Sequence, residues 1–192
     1  MKYIIANYKD NIVSDDYIIN LKKINTDNKV ILIPNKRIIS IFDNTFSLGT
    51  QNIIDDYDYV LVGHHDYRKY DTDTDINNKI KECIKLNKKV ILCVNSIDIL
   101  KKDLNNIDNY DNIIIAYEPD EYIGTGNIID SSYIINFIKK VKELYKDNII
   151  IYGGGVTSNN LNIIKEIKEL DGVLLGTSAL NIDEFKKIIL NY

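Results

Sequence analysis

Cysteine, proline and any excess of positive charge are missing or scarce in this chain, and each shortage removes a class of explanation. Two cysteines, Cys83 and Cys93, stand among 192 residues, with neither the CxxC spacing of a redox site nor enough sulfur for a disulfide scaffold. They read as reduced thiols of a cytoplasmic protein. The net charge of -4 argues against a general nucleic-acid or anionic-membrane binder, which would carry surplus Lys and Arg, and leaves room for one local basic pocket. No stretch approaches the roughly 18 apolar residues of a membrane span. The N-terminus MKYIIANYKDN lacks the long apolar run of a secretory signal. With two prolines in the whole chain, element boundaries have to be read from Gly, Asn and Asp.

What is present is a regular alternation. A hydrophobic share of 45% over this length supports one core, and residues 1–192 read as a single domain. Short β-branched runs recur at Tyr3 to Ala6, Val30 to Ile33, Tyr59 to Val62, Val90 to Val94, Ile113 to Ala116, Ile149 to Tyr152 and Val173 to Leu175, with a weaker one at Phe46 to Gln51. Continuous apolar runs suit strands buried on both faces. Between them, helical spacing marks Asp15 to Ile24, Lys36 to Phe42, Ile76 to Leu86, Ile97 to Leu104, Ser131 to Tyr145, Asn159 to Leu170 and Ile182 to Leu190. Strands alternating with amphipathic helices imply parallel pairing, because parallel neighbours need a crossover. Eight such strands favour a closed (β/α)8 barrel of the α/β class. Only Ile53 to Asp58 separate the third and fourth strands, too few for a helix, although six extended residues run back roughly 20 Å. The expected barrel is therefore shortened, with the helix between strands 3 and 4 missing.

In such barrels functional groups gather at the carboxyl ends of the strands, and those ends are polar here. They read Asn7-Tyr8-Lys9, Gln51-Asn52, Gly63-His64-His65, Glu118-Pro119, Gly153-Gly154-Gly155 and Gly176-Thr177-Ser178. Lys, His and Glu converge on one rim from three strands. Taken singly, each has a structural reading: Glu118 as a charge at a helix start, His64 as a satisfied core histidine, Lys9 as a solvated loop residue, Gly153 to Gly155 as a turn.

The segments ANYKDN, VLVGHHDYR, AYEPDEYIGTGN, YGGGV and DGVLLGTSAL resemble, in order and in place on the barrel, the NWK, GHSERR, AYEPxxxIGTGK, YGGSV and DGxLVGGASL segments of the triosephosphate isomerase family. TQN at Thr50 to Asn52 is similar to the family's AQN. The resemblance runs from residue 3 to about residue 180, and AYEP followed by IGTG is its most specific part. It implies a TIM barrel that interconverts two triose phosphates through an enediolate, in glycolysis and gluconeogenesis, with no metal and no cofactor. It implies Glu118 as the base, His64 as the electrophile and Lys9 as the cation. Asn7 would help place the substrate, and backbone N–H groups of Gly124, Gly155, Gly176 and Thr177 would hold the phosphate. Pro119 to Asn127 would be a lid whose closure protects the enediolate from losing phosphate. The partner implied is a small phosphorylated triose, with no nucleic acid and no membrane.

The sequence also departs from the family pattern. Tyr8 replaces a Trp, His65 a Ser, Gly155 a phosphate-binding Ser and Thr177 a Gly; Glu121 and Asn127 alter the lid hinges. Asp66 replaces a Glu that pairs with the lysine and is one methylene shorter, so reach to Lys9 is not assured. Asn95-Ser96 stands where the family has Gly-Glu and a longer helix. The short link at Ile53 to Asp58 stands where the family carries a long loop that inserts into the partner subunit. A monomer, or a dimer through another surface, is expected. Two other functions compete: a barrel enzyme for another phosphorylated sugar, and an inactive barrel that binds phosphorylated metabolites or a protein partner.

Overall fold

A computed structural model describes residues 1–43, 45–53 and 57–192. Eight strands, β1 (Tyr3–Asn7), β2 (Lys29–Ile33), β3 (Ser47–Thr50), β4 (Tyr59–Val62), β5 (Lys89–Val94), β6 (Ile113–Tyr117), β7 (Ile149–Tyr152) and β8 (Gly172–Leu175), pair in chain order, and β8 returns to β1 to close the barrel. Every pairing is parallel; the closing one sets Tyr3 against Gly172 and Ala6 against Leu175. Outside run α1 (Asp15–Leu21), α2 (His65–Arg68), α3 (Asp73–Lys85), α4 (Ile97–Asp103), α5 (Ser131–Leu144), α6 (Leu161–Glu166) and α7 (Ile182–Asn191). None of the described helices is long and apolar enough to cross a membrane.

The strands are apolar on both faces because each face meets a different core. One buried cluster contains Ile5, Ile31, Ile33, Leu61, Ile91, Cys93, Ala116, Ile151 and Leu174 and fills the barrel. Their neighbours Ile4, Ala6, Val30, Leu92, Ile115, Ile150 and Val173 join the helices in the outer core. The strand repeat of two then decides which residues reach the rim from inside. One step of two beyond Ile5, Ala116, Ile151 and Leu174 brings Asn7, Glu118, Gly153 and Gly176 to the mouth of the barrel.

Two elements differ from expectation. The helix expected over Lys36 to Phe42 is a short 3-10 turn, Ile39–Phe42, in which Ile39 and Phe42 are both buried. An i, i+3 pair eclipses in 3-10 geometry, so one turn is enough to bury it. The second difference is α2, which has no apolar periodicity and was not expected. Helix α3 also begins earlier than its apolar residues, since Thr72 and Asp75 form a reciprocal capping box. Between β3 and β4 the described residues contain no helix, and Gly49 and Thr50 pair with Tyr59 and Val60. Of the short link, residues 54–56 lie outside the described residues.

Candidate active site

The eight residues singled out on the rim all line one cavity of about 280 Å³ at the carboxyl ends of the strands. Lys9 lies just past β1 with φ of 53°, a left-handed conformation uncommon for a residue with a Cβ. Its amide donates to Asn7 Oδ1 at 3.0 Å, and its Nζ meets Asp66 Oδ2 at 2.9 Å. The shorter Asp66 side chain therefore does reach the lysine. Both partners of that pair are about one-third or more exposed, so its worth to stability is small, of order 0–1 kcal/mol. Its effect is to fix where the ammonium sits.

Asn7 is held from the other side by Gln51, whose Nε2 donates to the same Oδ1 at 3.0 Å. With the oxygen occupied twice, the amide orientation is set. Nδ2 is left buried and without a partner among the described residues.

His64 is 3% exposed and precedes α2. The Asp66 amide donates to its Nδ1 at 3.3 Å, so the ring proton belongs on Nε2. Burial, reinforced by the Lys9 charge, pushes the imidazole down to about 4 against the opposing pull of Asp66. The ring is neutral at pH 7 and can donate through Nε2. A neutral histidine of this kind is an established property of the resembled family.

Glu118 follows β6, its amide bonded to the Val94 carbonyl at 2.8 Å. Burial pushes its carboxyl up to about 7, opposed by a hydrogen bond from Cys93 and by the charges of Lys9 and His65. Its Oε1 lies 3.6 Å from His64 Nε2, beyond hydrogen-bonding distance, and its buried Oε2 has no partner among the described residues. Gly153 makes room for it: a Cβ there would stand 2.8 Å from Glu118 Cγ.

Ile123, Gly124, Thr125 and Gly126 form one wall of the cavity. This peptide rests on Gly155, whose φ is 63° and whose hydrogen faces the Asn127 and Tyr122 carbonyl oxygens, so that a Cβ would collide with both. The Ser-to-Gly departure thus lets the segment sit closer than a serine would. Tyr152 Oη accepts from the Ile129 amide at 3.0 Å. Asn160 Nδ2 donates to the Gly126 and Gly155 carbonyls at 3.1 and 3.0 Å. On the opposite wall, Tyr17 Oη donates to the Ala179 carbonyl at 2.6 Å and lies 2.9 Å from Tyr8 Oη. Tyr8, which stands in place of Trp, thereby ties the loop after β1 to the 3-10 turn Thr177–Leu180.

Gln51, Cys93, Asn160 and Tyr17 contribute to this arrangement without having been assigned roles from sequence. Gln51 belongs to the TQN segment that is similar to the family's AQN; for the other three, nothing in their local sequence signals the contact. Chemically, the cavity offers a buried carboxylate poised near neutrality, a neutral N–H donor, an anchored ammonium and glycine-rich backbone.

A model of the triosephosphate isomerase family matches residues 50–192. The triosephosphate isomerase of Mycoplasma genitalium is 30% identical over 199 residues, 92% of this chain and 82% of that protein. That of Ureaplasma parvum is 32% identical over 234 residues, 98% of each chain. That of Thermodesulfovibrio yellowstonii is 36% identical over 156 residues, 69% of this chain and 63% of that protein. On this shared sequence and the eight-stranded barrel that carries it, the chain belongs to the triosephosphate isomerase family.

Proposed function

We infer that the chain is a working triosephosphate isomerase that interconverts D-glyceraldehyde 3-phosphate and dihydroxyacetone phosphate. The observation that carries this reading is Glu118: a buried carboxylate raised to about 7, with one oxygen unpartnered, beside a neutral histidine across a small cavity. Its pKa near the working pH suits a group that must both take and return a proton. Glu118 removes a proton from the carbon beside the carbonyl and delivers it to the neighbouring carbon. His64 Nε2–H and Lys9 stabilise the charge that develops on oxygen, and Asn7 Nδ2 supplies a further donor. The backbone N–H groups of Gly124, Gly155, Gly176 and Thr177 hold the phosphate, with the peptide from 119 to 127 closed over it. Such an enzyme serves glycolysis and gluconeogenesis in the cytoplasm.

The test is a coupled assay of glyceraldehyde 3-phosphate conversion on the wild-type chain and Glu118→Gln. The variant is expected to lose on the order of 10³-fold in kcat/KM. A folded wild-type protein with no turnover would overturn the reading in favour of a binding role.

We further read the chain as a monomer over residues 1–192 of one domain. Support comes from the intrachain holding of Lys9 by Asp66 and of Asn7 by Gln51, so neither side chain needs a partner subunit for its position. Light scattering at assay concentration should give the monomer mass; a dimer formed through the rim near β3 would count against it.

A further inference from the structure

Two departures from the family pattern that look unrelated in sequence meet at one carboxylate. His65 stands in place of a serine after β4, and Asn95 in place of a glycine after β5. In the folded chain His65 Nδ1 lies 3.0 Å from Asp120 Oδ1 and Asn95 Nδ2 donates to Asp120 Oδ2 at 2.7 Å. Asp120 opens the 3-10 turn Asp120–Tyr122, two residues after Glu118 and at the start of the segment that walls the cavity. Each carboxylate oxygen is taken by a different loop.

We propose that His65 and Asn95 are positioning residues that clamp Asp120 and so hold the lid in its closed place over the substrate. The proposal rests on the isomerase reading for its catalytic consequence, though the clamp itself is a matter of geometry. Three successive loops are joined through it. His65 is adjacent to the electrophile His64, Asn95 follows Val94, whose carbonyl holds the Glu118 amide, and Asp120 follows Glu118 and Pro119. The lid cannot swing from its first residue without breaking bonds to both neighbouring loops. At the far end the segment is secured separately by Asn160 and Tyr152, so losing the clamp frees the near hinge while the fold stays intact. The bonds are charge-assisted but half exposed, which places the expected change in the closed population at about tenfold.

The readouts are isomerisation kinetics, inorganic phosphate released per turnover, and hydrogen exchange of lid amides 121–126 in the presence of inorganic phosphate. An enediolate that escapes a closed site expels its phosphate: the C–O bond to phosphate breaks, and methylglyoxal and inorganic phosphate result. Asp120→Ala should raise KM more than it lowers kcat, raise phosphate released per turnover about tenfold, and speed lid exchange about tenfold, with an unchanged melting temperature. His65→Ala and Asn95→Ala should each show part of this, and His65→Asn, whose Nδ2 keeps an N–H where the ring Nδ1 stood, should restore the wild-type partition. Unchanged partition and unchanged lid exchange in Asp120→Ala would overturn the clamp, and failure of the His65→Asn rescue would overturn the donor role of His65. If the wild-type chain has no turnover, the isomerase reading fails alone, and lid exchange in Asp120→Ala still decides the clamp.

Discussion

Among the described residues two carboxylates are buried deeply, and their surroundings differ in kind. Asp103, at the end of α4, is fully buried, and Arg68 Nη2 meets its Oδ2 at 2.5 Å while also donating to the Cys93 carbonyl at 2.6 Å. Glu118, at the end of β6, is 4% exposed and has no Lys or Arg in contact among the described residues. Burial raises both acids above their ordinary values, and in Asp103 the guanidinium offsets part of that rise. The paired charge locks α2, β5 and α4 together beneath the rim. The carboxylate with no cation in contact among the described residues faces a cavity, where desolvation raises its basicity. On the proposed function, the same physical cost serves scaffold in one place and chemistry in the other.

The comparison is broken most severely at Arg68. Arg68→Ala leaves Asp103 buried without its cation and is expected to cost about 3–5 kcal/mol of stability, measured by urea unfolding, with the activity of the remaining folded fraction largely kept at low temperature. Removing the other charge should act with opposite sign. Because Glu118 titrates at about 7 when folded and near 4.5 when unfolded, the folded state binds the proton more tightly, and stability falls as pH rises between those values. Glu118→Gln should accordingly be more stable than wild type at pH 8, by roughly 1–3 kcal/mol, and the gain should vanish below pH 4.5; equal melting curves at pH 8 would contradict it. The smallest expected effect is on rate. Log kcat/KM should climb with pH and level off above about 7, whereas a profile flat from pH 5.5 to 8 would show that the base is not desolvated as described.

Much of this was legible in sequence because strands buried on two faces leave a strong pattern. The runs at Tyr59 to Val62 and Ile149 to Tyr152 coincide with β4 and β7, and the other strands differ by one residue at one or both ends. Helices were harder where hydrogen bonding, not apolar spacing, sets the boundary. Thr72 begins α3 through a cap, α6 stops at Glu166 although apolar residues continue to Leu170, and α2 consists of HDYR, with no buried residue. The rim residues were found through short motifs, and alternation from Ile5 and Ala116 explains why Asn7 and Glu118 arrive there. Apart from the Lys9–Asp66 pair, which the family pattern pointed to, contacts made by residues distant in sequence left little trace. The pairs His65 with Asp120 and Tyr17 with Ala179 span 55 and 162 positions, and each member alone reads as an ordinary surface or core residue.

The closing of the barrel sets an order on assembly. Strand β1 carries Asn7 into the site and pairs on one side with β2, which follows soon after it, and on the other with β8, whose first residue is Gly172. During synthesis from the N-terminus, one edge of β1 has to wait for most of the chain. An unpaired parallel edge is a template for wrong association. The last strand to be made therefore both seals the sheet and brings Gly176 to the wall of the cavity, so that in this chain completion of the site and protection from aggregation arrive in the same step.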